Sequence, residues 1–154
     1  MDTNEFWQKF IKDTGAKPDL KYNGEYQFGF SENSMTSIIS LVLSGNKTAI
    51  SSSLLSYEID KIPVPKVNDY YIITDTNDNP VCIVKNIKVT KLAFKDVTWD
   101  LAQKEGEDTS MEQWRQSHIE YFEEAADIIG YNFSESMPTN TLSILRFNLS
   151  TSYC

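Results

Sequence analysis

The sequence has little of the two residue types that build disulfide frameworks and most zinc sites. Only two of its 154 residues are cysteines, Cys82 and Cys154, and His118 is its single histidine. Two cysteines are too few for a disulfide framework, so we expect thiols in a reducing compartment. One histidine and two distant cysteines do not make a zinc site, and we expect no cofactor from them.

Long apolar runs are also missing. No run approaches the ~20 residues that a membrane helix needs, and residues 1–5 lack the basic segment that begins a secretion signal. These absences predict a cytoplasmic protein with no membrane partner.

Positive charge is scarce and unevenly placed. The chain has 14 lysines and arginines against 22 aspartates and glutamates, for a formal net charge of −8. This balance argues against a protein that binds nucleic acid by neutralising many phosphates. Residues 61–95 differ, since their six lysines exceed their three acidic residues by three. The composition is therefore compatible with a small site for one nucleotide or a short strand.

The apolar pattern predicts a single α+β domain over residues 1–154. Apolar residues make up 40% and charged residues 23% of the chain, as in ordinary globular proteins. The clearest element is a helix that Ser110 caps and Gly130 ends, because its apolar residues recur at intervals of three and four. The other expected elements are helices over 4–14, 34–45, 53–60 and 98–104, strands from 47 and over 70–74, 81–89 and 141–150, and a loop over 15–30. Their order favours an antiparallel sheet.

Two polar segments are candidates for a functional site. Lys47 lies in a run of apolar and hydroxyl residues, 41–55. It either caps the preceding helix and stays solvated, or is a partly buried base or anion holder. The acidic corner, residues 105–108, either favours the next helix through its dipole or pairs with a lysine or a divalent cation. His118 lies on the apolar stripe of that helix, so we expect a hydrogen-bonded residue at the core edge.

Several segments carry a stronger signal when they are taken together and in order. They are the Phe6-Trp7 helix, residues 41–49, Pro65 with 68–71, residues 79–82, and above all 105–110 followed by Trp114, Arg115 and His118. Together they resemble the ASCH domain family (activating signal cointegrator homology). The resemblance implies a PUA-like fold, a small antiparallel β-barrel with helices packed around it, and a link to RNA. It also implies a cleft lined by residues 45–48 and the acidic corner.

The resemblance further implies two kinds of chemistry for such a cleft. Some bacterial members hydrolyse the amide of N4-acetylcytidine, and others are reported as ribonucleases. In the amidohydrolases a lysine, a threonine three residues later and a glutamate carry the reaction. Lys47 matches the lysine and Glu105 matches the glutamate, but Ile50 stands at the threonine position. An isoleucine has no nucleophilic oxygen, so an acyl-enzyme at that position is not expected.

We favour a binding module that holds RNA or a modified nucleoside in this cleft. In this hypothesis Lys47 contacts a phosphate or a carbonyl, and Tyr57 or Trp114 stacks on the base. The other candidate binding residues are Thr48, Ser51, Asp108, Ser110, Arg115 and His118.

The alternative is a hydrolase that acts on RNA or on N4-acetylcytidine. Lys47 is then the general base, Glu105 moves the proton, and backbone N–H groups near Ser110 stabilise the developing oxyanion. An amidohydrolase of this kind needs no cofactor, whereas a ribonuclease could use a divalent cation. The geometry that would support catalysis is a contact between Lys47 and Glu105 that faces a pocket.

Overall fold

The computed structural model describes residues 1–28 and 31–147. Within these ranges the helices are α1 (Thr3–Thr14), α2 (Glu32–Ser44), α3 (Leu54–Asp60), α4 (Trp99–Ala102) and α5 (Met111–Ile129). The strands are β1 (Gly24–Tyr26), β2 (Ala49–Ser53), β3 (Tyr70–Thr74), β4 (Pro80–Ala93) and β5 (Pro138–Phe147). Two short 3-10 turns, Phe94–Asp96 and Gln103–Glu105, lie on either side of α4.

The five strands form one sheet in the order β1-β3-β4-β5-β2. β1 is parallel to β3, and the other neighbouring pairs are antiparallel. β4 pairs with β3 through its first half and with β5 along most of its length, with an irregularity at Ile87. The sheet curls into a half-barrel, and irregularities of this kind increase the local bend and twist of a strand. The predicted α+β architecture with a mainly antiparallel sheet is confirmed.

Helices cover both faces of the sheet. Successive residues of a strand point to opposite faces, so neighbouring side chains of one strand belong to different clusters. Ile72 of β3 belongs to the buried cluster around α1, which contains Phe10. Its neighbour Ile73 belongs instead to the cluster around α2, which contains Val42. A third cluster joins α5 to α4 and to the turn before α4.

Most of the predicted elements are confirmed, and α5 agrees with its predicted limits. Its N-cap is Ser110, whose side chain accepts a hydrogen bond from the backbone N–H of Gln113, and its C-cap is Gly130. α2 begins earlier than predicted, because Ser31 rather than Ser34 is its N-cap. The predicted helix over 98–104 is the short α4 followed by a 3-10 turn.

The segment predicted as a loop, 15–30, contains a strand. β1 has only three residues and pairs with β3 at one edge of the sheet, and so short a strand has no alternating pattern to reveal it. β5 begins at Pro138, earlier than predicted. The end of the predicted strand, 148–150, lies outside the described residues. Every helix within the described ranges falls short of the length or the apolar character that a bilayer span requires.

Candidate functional site

Two loops that are distant in sequence meet beside β2 and bring Lys47 next to the acidic corner. The backbone N–H of Thr48 donates to the carbonyl of Lys104, at 2.7 Å. Gly106 has a φ of +73°, and a Cβ there would lie 2.3 Å from the carbonyl oxygen of Asn46. Only glycine allows so close an approach in this backbone conformation. The loop contact therefore fixes where Lys47 and Glu105 can lie.

Lys47 is buried between two carboxylates. Its Nζ lies 2.7 Å from Oε2 of Glu107 and 3.6 Å from Oε1 of Glu105. Only 4% of the residue is exposed. The interpretation in which Lys47 stays solvated at the end of α2 is therefore wrong, and the acidic corner does pair with a lysine.

Glu105 is the centre of the hydrogen-bond network. Its carboxylate accepts from Nε1 of Trp114 at 2.6 Å and from the hydroxyl of Ser51 at 3.1 Å, and Nε2 of His118 lies 3.2 Å away. Burial alone would raise the pKa of Glu105, but the charges of Lys47 and His118 and these hydrogen bonds outweigh burial and lower the pKa to about 2. Glu105 is therefore ionised at neutral pH.

The ring of His118 faces hydrogen-bond acceptors on both sides. Its Nδ1 lies 2.9 Å from the carbonyl oxygen of Trp114, and its Nε2 faces the carboxylate of Glu105. Burial acts to lower the pKa of His118, but the charge and hydrogen bond of Glu105 raise the pKa above its usual value. A doubly protonated ring satisfies both acceptors, so cations and anions alternate along His118, Glu105, Lys47 and Glu107.

These charges line one wall of a pocket with a volume of ≈ 110 Å³. The polar lining residues are Gln27, Lys47, Ser51, Glu105, Glu107, Ser117 and His118. The apolar and aromatic lining residues are Tyr26, Phe28, Ile38, Ile50 and Tyr121. The pocket can therefore offer charged hydrogen-bond groups to one side of a ligand and flat apolar surface to the other.

Four of the predicted site residues line this pocket, namely Lys47, Ser51, Glu105 and His118. Three others support it from outside. Thr48 is exposed and bonds the neighbouring loop. Asp108 accepts from the hydroxyl of Ser117 at 3.0 Å, and Ser110 caps α5.

The predicted stacking residues are corrected by the structure. Trp114 is 1% exposed, and its ring is stacked on Phe94 and on His118. Tyr57 is also buried, and its hydroxyl is hydrogen-bonded to Ser52. Neither ring has a free face for a base, and Trp114 instead positions Glu105.

Arg115, predicted to assist binding, lies elsewhere on α5. Its guanidinium is 3.2 Å from a carboxylate oxygen of Glu135 and lies over the ring of Phe94. It therefore contributes to the packing of α5 rather than to the pocket.

Sequence reasoning missed the aromatic wall of the pocket. Tyr121 follows His118 by three residues, so helical spacing could have placed it on the same face of α5. Tyr26 and Phe28 lie in the segment predicted as a loop, where only their aromatic character gave a signal.

The residues that could hold a metal ion are also part of this wall. Glu105, Glu107 and His118 each offer a ligand atom, and these atoms lie within 4.8 Å of one another. Two carboxylates and an imidazole are a donor set that zinc and other divalent metals accept.

Comparisons with known proteins agree with this fold. A family model for the ASCH domain matches residues 24–149. The structure is similar to the protein EF3133 from Enterococcus faecalis V583, with a TM-score of 0.82 and 29% sequence identity over 92% of this chain and 85% of that chain. It is also similar to an ASCH domain from Lactobacillus crispatus JV V101, with a TM-score of 0.80 and 20% identity over 94% and 95% of the two chains. No curated protein matches the sequence.

Proposed function

This chain belongs to the ASCH domain family, and we propose that its pocket binds one base of an RNA strand or of a modified nucleoside. The observation that carries the proposal is a pocket with the ion pair of Lys47 and Glu107, 2.7 Å apart, in its lining together with the aromatic side chains of Tyr26, Phe28 and Tyr121. The PUA-like fold is consistent with RNA binding, and the pocket supplies the chemistry that selects a base.

The charged wall suits the edge of a base better than a phosphate. A base edge carries both donors and acceptors, whereas a phosphate carries acceptors alone. Lys47 can donate to a ring nitrogen or carbonyl, and the partly exposed carboxylate of Glu107 can accept from an amino group. The two carboxylates at this wall balance the charges of Lys47 and His118, so the wall offers a phosphate no net positive charge.

The aromatic wall supplies the stacking that base recognition needs. Tyr121 is 37% exposed and lines the pocket together with Tyr26 and Phe28. Stacking of one base on an aromatic side chain is worth about 1–3 kcal/mol. Tyr121 thus takes the role that the sequence suggested for Tyr57 or Trp114.

The size of the pocket limits the ligand to one small ring system. Pockets for drug-sized ligands are roughly 300–1,000 Å³, whereas this one has ≈ 110 Å³. The pocket therefore suits a single base, with the sugar and any further nucleotides outside it.

Calorimetric titration with cytidine, uridine, adenosine, guanosine and N4-acetylcytidine tests the proposal. We expect at least one nucleoside to bind, and Tyr121→Ala to weaken that binding about 5- to 150-fold, as the loss of one stacking contact implies. Tyr121→Phe keeps the ring and should retain most of the affinity. Ile128→Ala is the matched control, because Ile128 is an exposed apolar residue of the same helix. Failure of all five nucleosides and of short RNAs to bind would contradict the proposal.

A hydrolase is the second candidate, since the contact between Lys47 and Glu105, 3.6 Å apart, faces the pocket as catalysis requires, and Ser51 brings a hydroxyl there. Its Oγ donates to Glu105 at 3.1 Å, whereas Ile50, at the family's threonine position, contributes only an apolar side chain to the lining. The pKa of Glu105, about 2, makes this carboxylate a weak base at neutral pH. The missing hydroxyl at Ile50 together with this lowered pKa is why we place recognition before hydrolysis.

Chromatographic separation of N4-acetylcytidine from cytidine tests the second candidate. Wild type should be compared with Lys47→Ala and Ser51→Ala. Turnover that both substitutions abolish, in variants that remain folded, would establish hydrolysis and give Ser51 a catalytic part. Binding without turnover would leave recognition as the function.

A further inference from the structure

We propose that the Lys47 ammonium is the resident cation of this pocket and takes the place of a divalent metal ion among Glu105, Glu107 and His118. The native pocket then works without a metal at these residues, and truncation of Lys47 opens a metal site. The inference concerns cation binding and does not depend on which ligand the pocket recognises.

The position of the ammonium is the first observation. Nζ of Lys47 contacts both carboxylates that would ligate a metal, at 2.7 Å for Glu107 and 3.6 Å for Glu105. A metal ion bound to these oxygens and to His118 would have to occupy the space beside them that the ammonium fills. One cation therefore excludes the other.

The second observation is that displacing the Lys47 ammonium from its partners costs free energy. The residue is 4% exposed, and Nζ also lies 3.4 Å from the backbone carbonyl oxygen of Glu105. The adjacent Thr48 ties its loop to Lys104. Displacement by a metal would leave a buried ammonium without its partners, which is strongly unfavourable.

The third observation is the donor set itself. The carboxylates and the imidazole have ligand atoms within 4.8 Å of one another, and the loop contact and the hydrogen bond from Trp114 hold Glu105 in place. Such pre-positioned donors accept divalent metals once the space between them is free and His118 gives up its Nε2 proton to solvent. Lys47→Ala removes the competing cation and leaves two carboxylates that need one.

Titration with Co²⁺ tests the proposal, because bound Co²⁺ is visible by its absorption spectrum. Wild type should show no stoichiometric binding and no change in melting temperature. Lys47→Ala should bind one Co²⁺ and gain about 5–10 °C at a hundredfold excess over its dissociation constant. A Lys47→Ala variant that is unfolded alone but folds with Co²⁺ would also support the proposal.

Two control variants make the test specific. Lys47→Ala with Glu107→Gln should lose the Co²⁺ site, because one ligand is gone. Lys9→Ala removes another ion-paired lysine, 2.9 Å from Asp13 on α1, and should gain no site.

Two results would overturn the proposal. One is stoichiometric Co²⁺ binding by wild type that Glu107→Gln abolishes, since Lys47 would then not exclude a metal. The other is a Lys47→Ala or Lys47→Ser variant that neither binds Co²⁺ nor is stabilised by it. Nucleoside titrations run on the same wild-type sample keep this outcome separate from the proposed function.

Discussion

At the residue scale, Gly106 lets the acidic corner pack directly against the backbone of the Lys47 loop. Its positive φ and the 2.3 Å approach of an added Cβ to the Asn46 carbonyl leave no room for a side chain. Gly15 is a natural comparison, because its φ of +70° is nearly the same but no described atom lies within 4 Å of an added Cβ.

We predict that Gly106→Ala lowers the free energy of unfolding by at least about 1 kcal/mol more than Gly15→Ala does, because only Gly106 adds a clash to the backbone strain. It should also weaken nucleoside binding, since relief of the clash moves the Lys47 loop away from Glu105. Urea unfolding and calorimetric titration of both variants measure the two effects. Equal losses of stability would show that the loop contact does not constrain the site.

A second prediction at this scale concerns pH. The pKa of Glu105 is about 2 in the folded protein, below its ordinary 4.5, so its ionised form stabilises the fold above pH 4.5. That contribution, on the order of 3 kcal/mol, is lost as the pH falls from about 4.5 towards 2. The pKa of His118 is raised above its ordinary 6.5, so its contribution is present below pH 6.5 and is lost as the pH rises through the folded pKa.

Urea unfolding at a series of pH values measures how the free energy of unfolding changes at acid and at alkaline pH. Glu105→Gln should remove most of the loss of stability at acid pH. His118→Gln should remove most of the loss at alkaline pH. A wild type whose stability does not change between about pH 6 and 9 would contradict the charged form of His118.

At the element scale, α5 supplies three residues of the pocket lining, Ser117, His118 and Tyr121. Trp114, Ser117, His118 and Tyr121 follow one another at helical intervals, so they share the face that meets the acidic corner. The apolar stripe that predicted core packing from the sequence contains Trp114, His118 and Phe122 but neither Ser117 nor Tyr121. Core packing is confirmed for Trp114 and Phe122, but the pattern alone does not distinguish a ring in the core from one at a pocket wall.

The N-cap of α5 gives a prediction at this scale. Ser110→Ala should lower the free energy of unfolding by about 1 kcal/mol, because the backbone N–H of Gln113 loses its acceptor. Thr98→Ala is the matched control, since the side chain of this α4 N-cap makes no capping hydrogen bond to any described residue. Thermal unfolding of both variants measures the difference. An equal loss in the two would contradict the capping role of Ser110.

The elements differ in how much the sequence could reveal. β3 and α5 have strong patterns and definite ends, so their limits were predicted closely. β1 is too short to show a pattern, and its partner β3 lies far along the chain. The contact between Lys47 and Glu105 spans 58 residues, so no local periodicity encodes it. The family resemblance suggested that contact, whereas the aromatic wall and the role of Glu107 required the structure.

At the scale of the whole molecule, a net charge of −8 shapes how RNA can bind. The pocket itself holds two cations against two anions, so a free nucleoside should bind with almost no salt dependence. We predict that a short single-stranded RNA containing the preferred base shows a log–log salt slope shallower than about −2, as for two or three phosphate contacts.

Binding measured between about 50 and 200 mM salt decides this point. If all six lysines of residues 61–95 contacted phosphates, the slope would approach about −4. That result would mean that phosphate contacts, rather than the pocket, supply most of the affinity.

A crystal structure of the wild type soaked with the nucleoside that binds best tests the central claim most directly. We predict that the base lies in the pocket with its edge against Lys47 and Glu107 and its face against Tyr121. A nucleoside bound elsewhere on the protein, with this pocket unchanged, would contradict the account.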